Sequence, residues 1–174
     1  MRRLLSGRSQ RGVANVLERL TEQGIVHRRT AGRVWLYRLN RHHLAAPHIV
    51  ALARLRNELV ERLTAEVDAW EEPPVIGALF GSGTGPNHDI HSDVDLLLVR
   101  PHACNDEVWV EQSDRLAGDV TAWTGNDARL LVMTAEHVCA AGAREPVLRD
   151  VALTGVFFCG SRAWLLEALV TSSS

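Results

Sequence analysis

An apolar run at residues 94–99 is interrupted by a single charged residue, Asp95, and is directly preceded by a second, Asp93. A run of this length after a polar loop predicts a buried strand, in which alternate residues share one face. Asp93 and Asp95 are therefore expected on the same side of the strand, while Val94, Leu96 and Leu98 can enter a core. Few other features of the chain constrain its fold as tightly.

Two carboxylates that converge in this way repel each other unless a cation lies between them. Hard divalent cations that prefer oxygen ligands, above all Mg²⁺ and alternatively Mn²⁺, meet that need. An isolated Asp-x-Asp also occurs as a solvated or capping pair, so the metal interpretation depends on what accompanies it.

A second apolar run at residues 75–80 ends in Gly81 and Ser82. The missing side chain of Gly81 would let the backbone approach a phosphate, and the Ser82 hydroxyl could donate to the phosphate oxygens. The pair therefore predicts a triphosphate cradle at the end of a buried strand.

Gly81-Ser82, ten intervening residues and Asp93-Val94-Asp95 together resemble the signature of the DNA polymerase beta-type nucleotidyltransferase superfamily. The resemblance implies that Gly81 and Ser82 bind nucleotide and that Asp93 and Asp95 bind metal. It also implies an α+β fold, with a short mixed sheet and helices.

Residues 75 to about 170 are similar in length and order to the minimal nucleotidyltransferases of that superfamily, which often occur in prokaryotic toxin-antitoxin pairs. Members commonly carry an arginine just after the Gly-Ser pair, where residues 83–86 here read Gly-Thr-Gly-Pro. The resemblance also calls for a third, catalytic carboxylate on the next strand, which would help to deprotonate the acceptor hydroxyl. Asp127 is the candidate for it, with loop capping as its alternative role.

The expected reaction transfers a nucleoside monophosphate from a nucleoside triphosphate to a hydroxyl of a protein, an RNA or a small molecule. The resemblance implies that a hydroxyl of a toxin partner would be one natural acceptor. The alternative is a DNA-binding transcriptional regulator whose nucleotidyltransferase domain only senses nucleotide.

The amino-terminal part of the chain differs sharply in charge from the remainder. Ten arginines against two glutamates give residues 1–46 a net charge of +8, which leaves −10 for the rest. This asymmetry suggests a basic module for a polyanion joined to an acidic module that holds cations.

Apolar periodicity predicts a helix at residues 9–23, and two β-rich runs joined by a glycine turn follow it. A helix followed by a basic hairpin resembles the recognition helix and wing of a winged helix-turn-helix, truncated to residues 1–46. The side chains expected to bind DNA are Gln10, Arg11, Asn15, Arg28, Arg29 and Arg33. In the alternative, this segment packs on the long helix or on a dimer partner and its arginines are solvated.

A long amphipathic pattern at residues 47–72 predicts a connecting helix, which the proline pair at 73–74 ends before the nucleotidyltransferase domain at 73–174. By analogy with winged-helix proteins, this helix could also pair two copies into a homodimer. No apolar run is long enough for a bilayer span or a secretory signal, so a cytoplasmic protein is expected.

Overall fold

The structure, a computed structural model, describes residues 10–81 and 93–172. The helices and strands predicted from apolar periodicity are present. In chain order the elements are α1 (Gln10–Glu22), β1 (Val26–Ala31), β2 (Val34–Leu39), α2 (Ala46–Asp68), β3 (Ile76–Phe80), β4 (Val94–Arg100), α3 (Asp106–Thr124), β5 (Ala128–Thr134), α4 (Ala135–Ala141), a 3-10 turn (Gly142–Arg144), α5 (Pro146–Thr154), β6 (Val156–Cys159) and α6 (Arg162–Thr171).

The chain divides into two compact units, residues 1–56 and 57–174. The division falls within α2, so this helix contributes residues to both units. The boundaries expected from the sequence, at 46 and at 72, stay predictions.

A four-stranded sheet in the order β5-β4-β3-β6 organises the second unit. Strand β4 runs parallel to β5 and antiparallel to β3, which in turn pairs antiparallel with β6. The expected α+β class with a short mixed sheet is therefore present in residues 57–174.

Helices cover both faces of this sheet. Leu96 and Leu98 of β4 pack with apolar residues of α2 and α3, whereas Leu97 and Val99 pack with residues of α4, α5 and α6. All four leucine and valine side chains are fully buried, as expected for a strand whose two faces are both covered. The sequence interpretation accounted for one of these faces only.

Local signals fix the ends of the helix that connects β4 to β5. The Asn105 side chain accepts hydrogen bonds from the backbone N–H groups of Glu107 and Val108, at 3.0 and 3.4 Å, and so caps α3. Gly125 ends the helix with a φ of 71°. The short connection then returns the chain to β5 beside β4, as a parallel pair requires.

The first unit contains α1 and the antiparallel hairpin β1-β2. Gly32 turns the hairpin with a φ of 61°, and the Arg28 guanidinium lies 4.4 Å from the centre of the Trp35 ring. The predicted order of helix and hairpin is confirmed, while their assignment as recognition helix and wing stays a prediction.

No helix among the described residues is long and apolar enough to cross a membrane.

Candidate functional site

Strand β4 brings the paired aspartates to one face of the sheet. Asp93 lies directly before the strand and Asp95 is its second residue, on the face that also carries Leu97 and Val99. Both aspartates are partly exposed, in contrast to the fully buried residues further along the strand. The sheet thus holds two carboxylates at the edge of its core, as the alternation predicted.

Gly81 lies against the second of these carboxylates. It follows β3 with a φ of 73°, and a Cβ atom added there would lie 2.5 Å from Oδ2 of Asp95. Residues with a side chain rarely adopt this φ, and that approach is closer than any real Cβ contact. The sequence predicted a close approach of the Gly81 backbone to a phosphate, and the structure shows a close approach to Asp95.

An arginine that the sequence interpretation missed completes the cluster. Nη1 of Arg129 lies 2.8 Å from Oδ2 of Asp93, and Arg129 stands directly beside Asp95 in the parallel β4-β5 register. The available signal was a lone charged residue inside the apolar strand at residues 128–133, on the face shared with Leu131 and Met133. Its partner could not be read from the sequence, because the pairing depends on a register between strands that are 34 residues apart.

The electrostatic environment of Asp95 reflects these neighbours. Burial raises the pKa of the Asp95 carboxyl above its ordinary value, and the negative charge of Asp93 raises it further. The Arg129 guanidinium acts in the opposite direction without cancelling the rise. Burial therefore disfavours the ionised form of the Asp95 carboxyl more than the Arg129 guanidinium stabilises it.

The arrangement fits a divalent metal such as Mg²⁺ on its donor chemistry. Asp93 and Asp95 supply the carboxylate oxygens, and Gly81 leaves Asp95 the space that a Cβ would fill. Mg²⁺ in phosphate-transfer sites is commonly held by one or two carboxylates together with phosphate oxygens and water. A site with two protein carboxylates is therefore sufficient.

The third predicted carboxylate is not gathered with the other two. Asp127 is exposed and lies directly before β5, where its carbonyl oxygen accepts a 2.9 Å hydrogen bond from the backbone N–H of Val94. No group of three histidine, cysteine or acidic side chains that could hold a metal occurs within residues 10–81 and 93–172. A catalytic role for Asp127 stays a prediction, and Ser82 lies outside the described residues.

The predicted DNA-binding residues lie in the first unit. Arg11 and Asn15 are exposed on α1, as are Arg28 and Arg29 on β1 and Arg33 in the turn. Arg28 and Arg29 are consecutive in a strand, so they project from opposite faces of the hairpin. Gln10 is the first residue of α1.

Several solved structures resemble part of the chain in fold. A crystal structure of a toxin-antitoxin with AMP-PNP matches with a TM-score of 0.45 and 16% identity, over 66% of this chain and 83% of that one. A crystal structure of the toxin-antitoxin MntA-HepT matches with a TM-score of 0.42 and 14% identity, over 67% of this chain and 83% of that one. The structure of the tri-AMPylated Shewanella oneidensis HEPN toxin in complex with MNT antitoxin matches with a TM-score of 0.42 and 13% identity, over 68% of this chain and 83% of that one.

A TM-score below 0.5 is too low for these likenesses to bear on function. No family model matches the sequence. No curated protein matches it significantly.

Proposed function

We propose that the protein is a metal-dependent nucleotidyltransferase, which transfers a nucleoside monophosphate from a nucleoside triphosphate to a hydroxyl of a protein, an RNA or a small molecule. The observation that carries the proposal is the convergence of Asp93 and Asp95 on one face of β4, with the Asp95 carboxylate against Gly81. The spacing of the Gly81-Ser82 pair from these aspartates supports it, because that spacing resembles the polymerase beta-type signature.

Each residue of the site would have a defined task. Asp93 and Asp95 would hold a divalent cation, Mg²⁺ or Mn²⁺, which when bound neutralises phosphate charge and polarises the phosphorus under attack. Gly81 keeps the Asp95 carboxylate in place by leaving it room, and Ser82 would donate a hydrogen bond to a phosphate oxygen. Asp127 would accept the proton of the acceptor hydroxyl.

The acceptor and the setting belong to the same proposal. The likeness of the motif to the minimal nucleotidyltransferases supports a role in a toxin-antitoxin pair, where a hydroxyl of the partner protein would accept the nucleotide. Exposed arginines of the first unit would bind DNA and so tether the enzyme to its operator. A cytoplasmic location, where both nucleotide and DNA are available, is part of the same proposal.

A second candidate is a DNA-binding regulator that binds nucleotide without transferring it. One observation favours it: within residues 10–81 and 93–172, the Asp93–Asp95 pair has no third acidic side chain with which to form a metal group. A site of this composition could still bind a metal-nucleotide complex while lacking the base that activates the acceptor.

Incubation of the protein with each of the four labelled nucleoside triphosphates, Mg²⁺ and cell lysate distinguishes the transferase from the nucleotide sensor. A labelled acceptor that disappears in Asp93→Ala and Asp95→Ala, but persists in the control Asp119→Ala on α3, supports the transferase. No label with any nucleotide, despite Mg²⁺-dependent nucleotide binding, supports the sensor. The absence of both labelling and binding overturns both candidates.

A further inference from the structure

The ion pair between Arg129 and Asp93 has a consequence for how the site binds its ligands. We propose that Arg129 is an exchangeable counter-ion: it binds Asp93 while the site is empty, competes with the divalent metal there, and binds the triphosphate once metal and nucleotide have arrived. This inference rests on the proposed function, and it adds a nucleotide-binding residue that the Gly81-Ser82 and Asp93-Asp95 pattern does not contain.

The geometry explains why Arg129 is placed to compete. Its guanidinium reaches Oδ2 of Asp93 at 2.8 Å, and its backbone stands beside Asp95 in the β4-β5 register. One arginine therefore lies next to both proposed metal ligands. A metal that uses the same oxygen of Asp93 has to displace the guanidinium from it.

The exposure of the pair explains why the displacement requires little free energy. The Arg129 side chain is 69% exposed, whereas that of Asp93 is 28% exposed. An ion pair with one well-exposed member contributes little to stability, because water already solvates most of that charge. Arg129 can therefore leave Asp93 and remain solvated, while its backbone stays in β5.

Charge explains the direction of the exchange. The single guanidinium of Arg129 carries one positive charge against the two carboxylates of Asp93 and Asp95. A divalent cation compensates both carboxylates, which releases Arg129 beside a newly arrived anion. The planar guanidinium can then bind two phosphate oxygens at once, a geometry for which arginine is well suited.

Titrations with Mn²⁺, followed by electron paramagnetic resonance, test the exchange with and without nucleotide. Arg129→Met is compared with wild type and with Arg115→Met, whose arginine is 73% exposed and has only 3.8 Å contacts to Glu66 and Asp119. Without nucleotide, Arg129→Met should bind Mn²⁺ about two- to fivefold more tightly than wild type. With Mn²⁺ and non-hydrolysable analogues of the four nucleoside triphosphates, it should bind the analogue about tenfold more weakly. Arg115→Met should match wild type in both titrations.

The opposite signs of these effects decide the proposal. Equal Mn²⁺ affinity in wild type and Arg129→Met overturns the competition while leaving the metal site intact. Tighter binding of both Mn²⁺ and analogue by Arg129→Met overturns the transfer of Arg129 to phosphate. If neither protein binds Mn²⁺, the metal site of the proposed function is overturned, and the exchange with it.

A measurement without metal or nucleotide tests the counter-ion role by itself. In EDTA, thermal unfolding of wild type, Arg129→Met, Asp93→Asn and the double variant forms a double-mutant cycle. The destabilisation caused by Arg129→Met should be smaller when Asp93 is already asparagine. Additive effects would show that the two side chains do not interact in solution and would overturn the counter-ion role, whatever the Mn²⁺ titrations give.

Discussion

The two compact units differ in how much of their apolar surface they bury. Residues 57–174 bury side chains on both faces of a sheet, whereas Ala46 is the one buried hydrophobic residue among residues 10–56. The large hydrophobic residues that the first unit leaves exposed are Val16, Val34, Trp35, Leu44, Leu52 and Leu55. Burial therefore specifies the second unit, while the first depends on local hydrogen bonds, a glycine turn and the Arg28–Trp35 contact.

The difference teaches where each unit can place charge. The second unit holds its aspartate pair at the edge of a core that fixes the neighbouring strands, so packing determines the positions of these carboxylates. The first unit presents its arginines on elements with little core beneath them. The rigidly placed carboxylates of the second unit suit a site for a small ion, and the exposed arginines of the first unit suit a surface for a long polyanion.

The largest effect that tests this comparison is the removal of a core side chain. Leu98→Ala truncates a fully buried side chain between β4 and its helices, and should lower the free energy of unfolding by about 2–5 kcal/mol. Leu52→Ala, at a residue that is 67% exposed, should change it by no more than about 0.5 kcal/mol. Denaturant unfolding of both variants gives the two values, and a large destabilisation in Leu52→Ala would show that the first unit is covered in solution.

The second effect concerns the contact of Gly81 with Asp95. Gly81 and Gly125 have nearly the same positive φ, but a Cβ at Gly125 would meet nothing within 4 Å. Alanine should destabilise the protein by about 1–2 kcal/mol at either position because of the φ alone. Gly81→Ala should additionally displace the Asp95 carboxylate and weaken Mn²⁺ binding by at least about tenfold, since a metal ligand moves.

Thermal unfolding and Mn²⁺ titration of the two alanine variants separate strain from site geometry. Unchanged Mn²⁺ affinity in Gly81→Ala would show that Asp95 tolerates the added methyl group without moving from the metal position. Weakened affinity in Gly125→Ala would show instead that the strain at a helix end reaches the site.

Much of the second unit could be predicted from the sequence because its signals are local. The apolar runs at residues 75–80 and 94–99 each predicted a strand that the structure contains, as β3 and β4. The shared face of Asp93 and Asp95 followed from strand geometry alone. Arg129 could not be placed because its position beside Asp95 depends on the pairing of two strands that α3 separates.

The close approach at Gly81 was predicted only in part, for a related reason. A glycine after a strand indicates that something approaches closely, but the sequence does not say what. The approach is to Asp95, because Phe80 at the end of β3 pairs with Asp95 in the antiparallel register. The low burial of the first unit could not be predicted either, because the apolar residues of α1 recur at the spacing that is typical of a helix covering a core.

The third effect tests the charge on the first unit. If the basic hairpin is a wing, Arg28→Ala/Arg33→Ala should weaken binding to duplex DNA. The slope of log K against the logarithm of the salt concentration should become shallower by about 0.9 for each phosphate that the variant no longer neutralises. Arg62→Ala/Arg115→Ala, which removes two arginines from the second unit, is the matched control. Filter retention over a series of salt concentrations gives both slopes, and equal slopes for the two variants would rule out the wing.

The smallest effect is the loss of folding stability that the ionised Asp95 carboxylate causes. Because burial raises the pKa of Asp95 in the folded protein, the unfolded chain loses this proton at a lower pH than the folded chain does. Ionisation of Asp95 therefore lowers stability as the pH rises from its ordinary pKa of about 3.9 through the raised value. Asp95→Asn should accordingly raise Tm near neutral pH in EDTA, by no more than a few degrees.

The pH dependence of this gain distinguishes electrostatics from packing. Below pH of about 3.9 the carboxyl is protonated in both the folded and the unfolded chain, so the difference between Asp95→Asn and wild type should shrink. Thermal scans across this range, with Asp119→Asn on α3 as control, measure the difference. If the rise in Tm persists unchanged in acid, it comes from packing. The charge of Asp95 would then not lower the stability of the second unit.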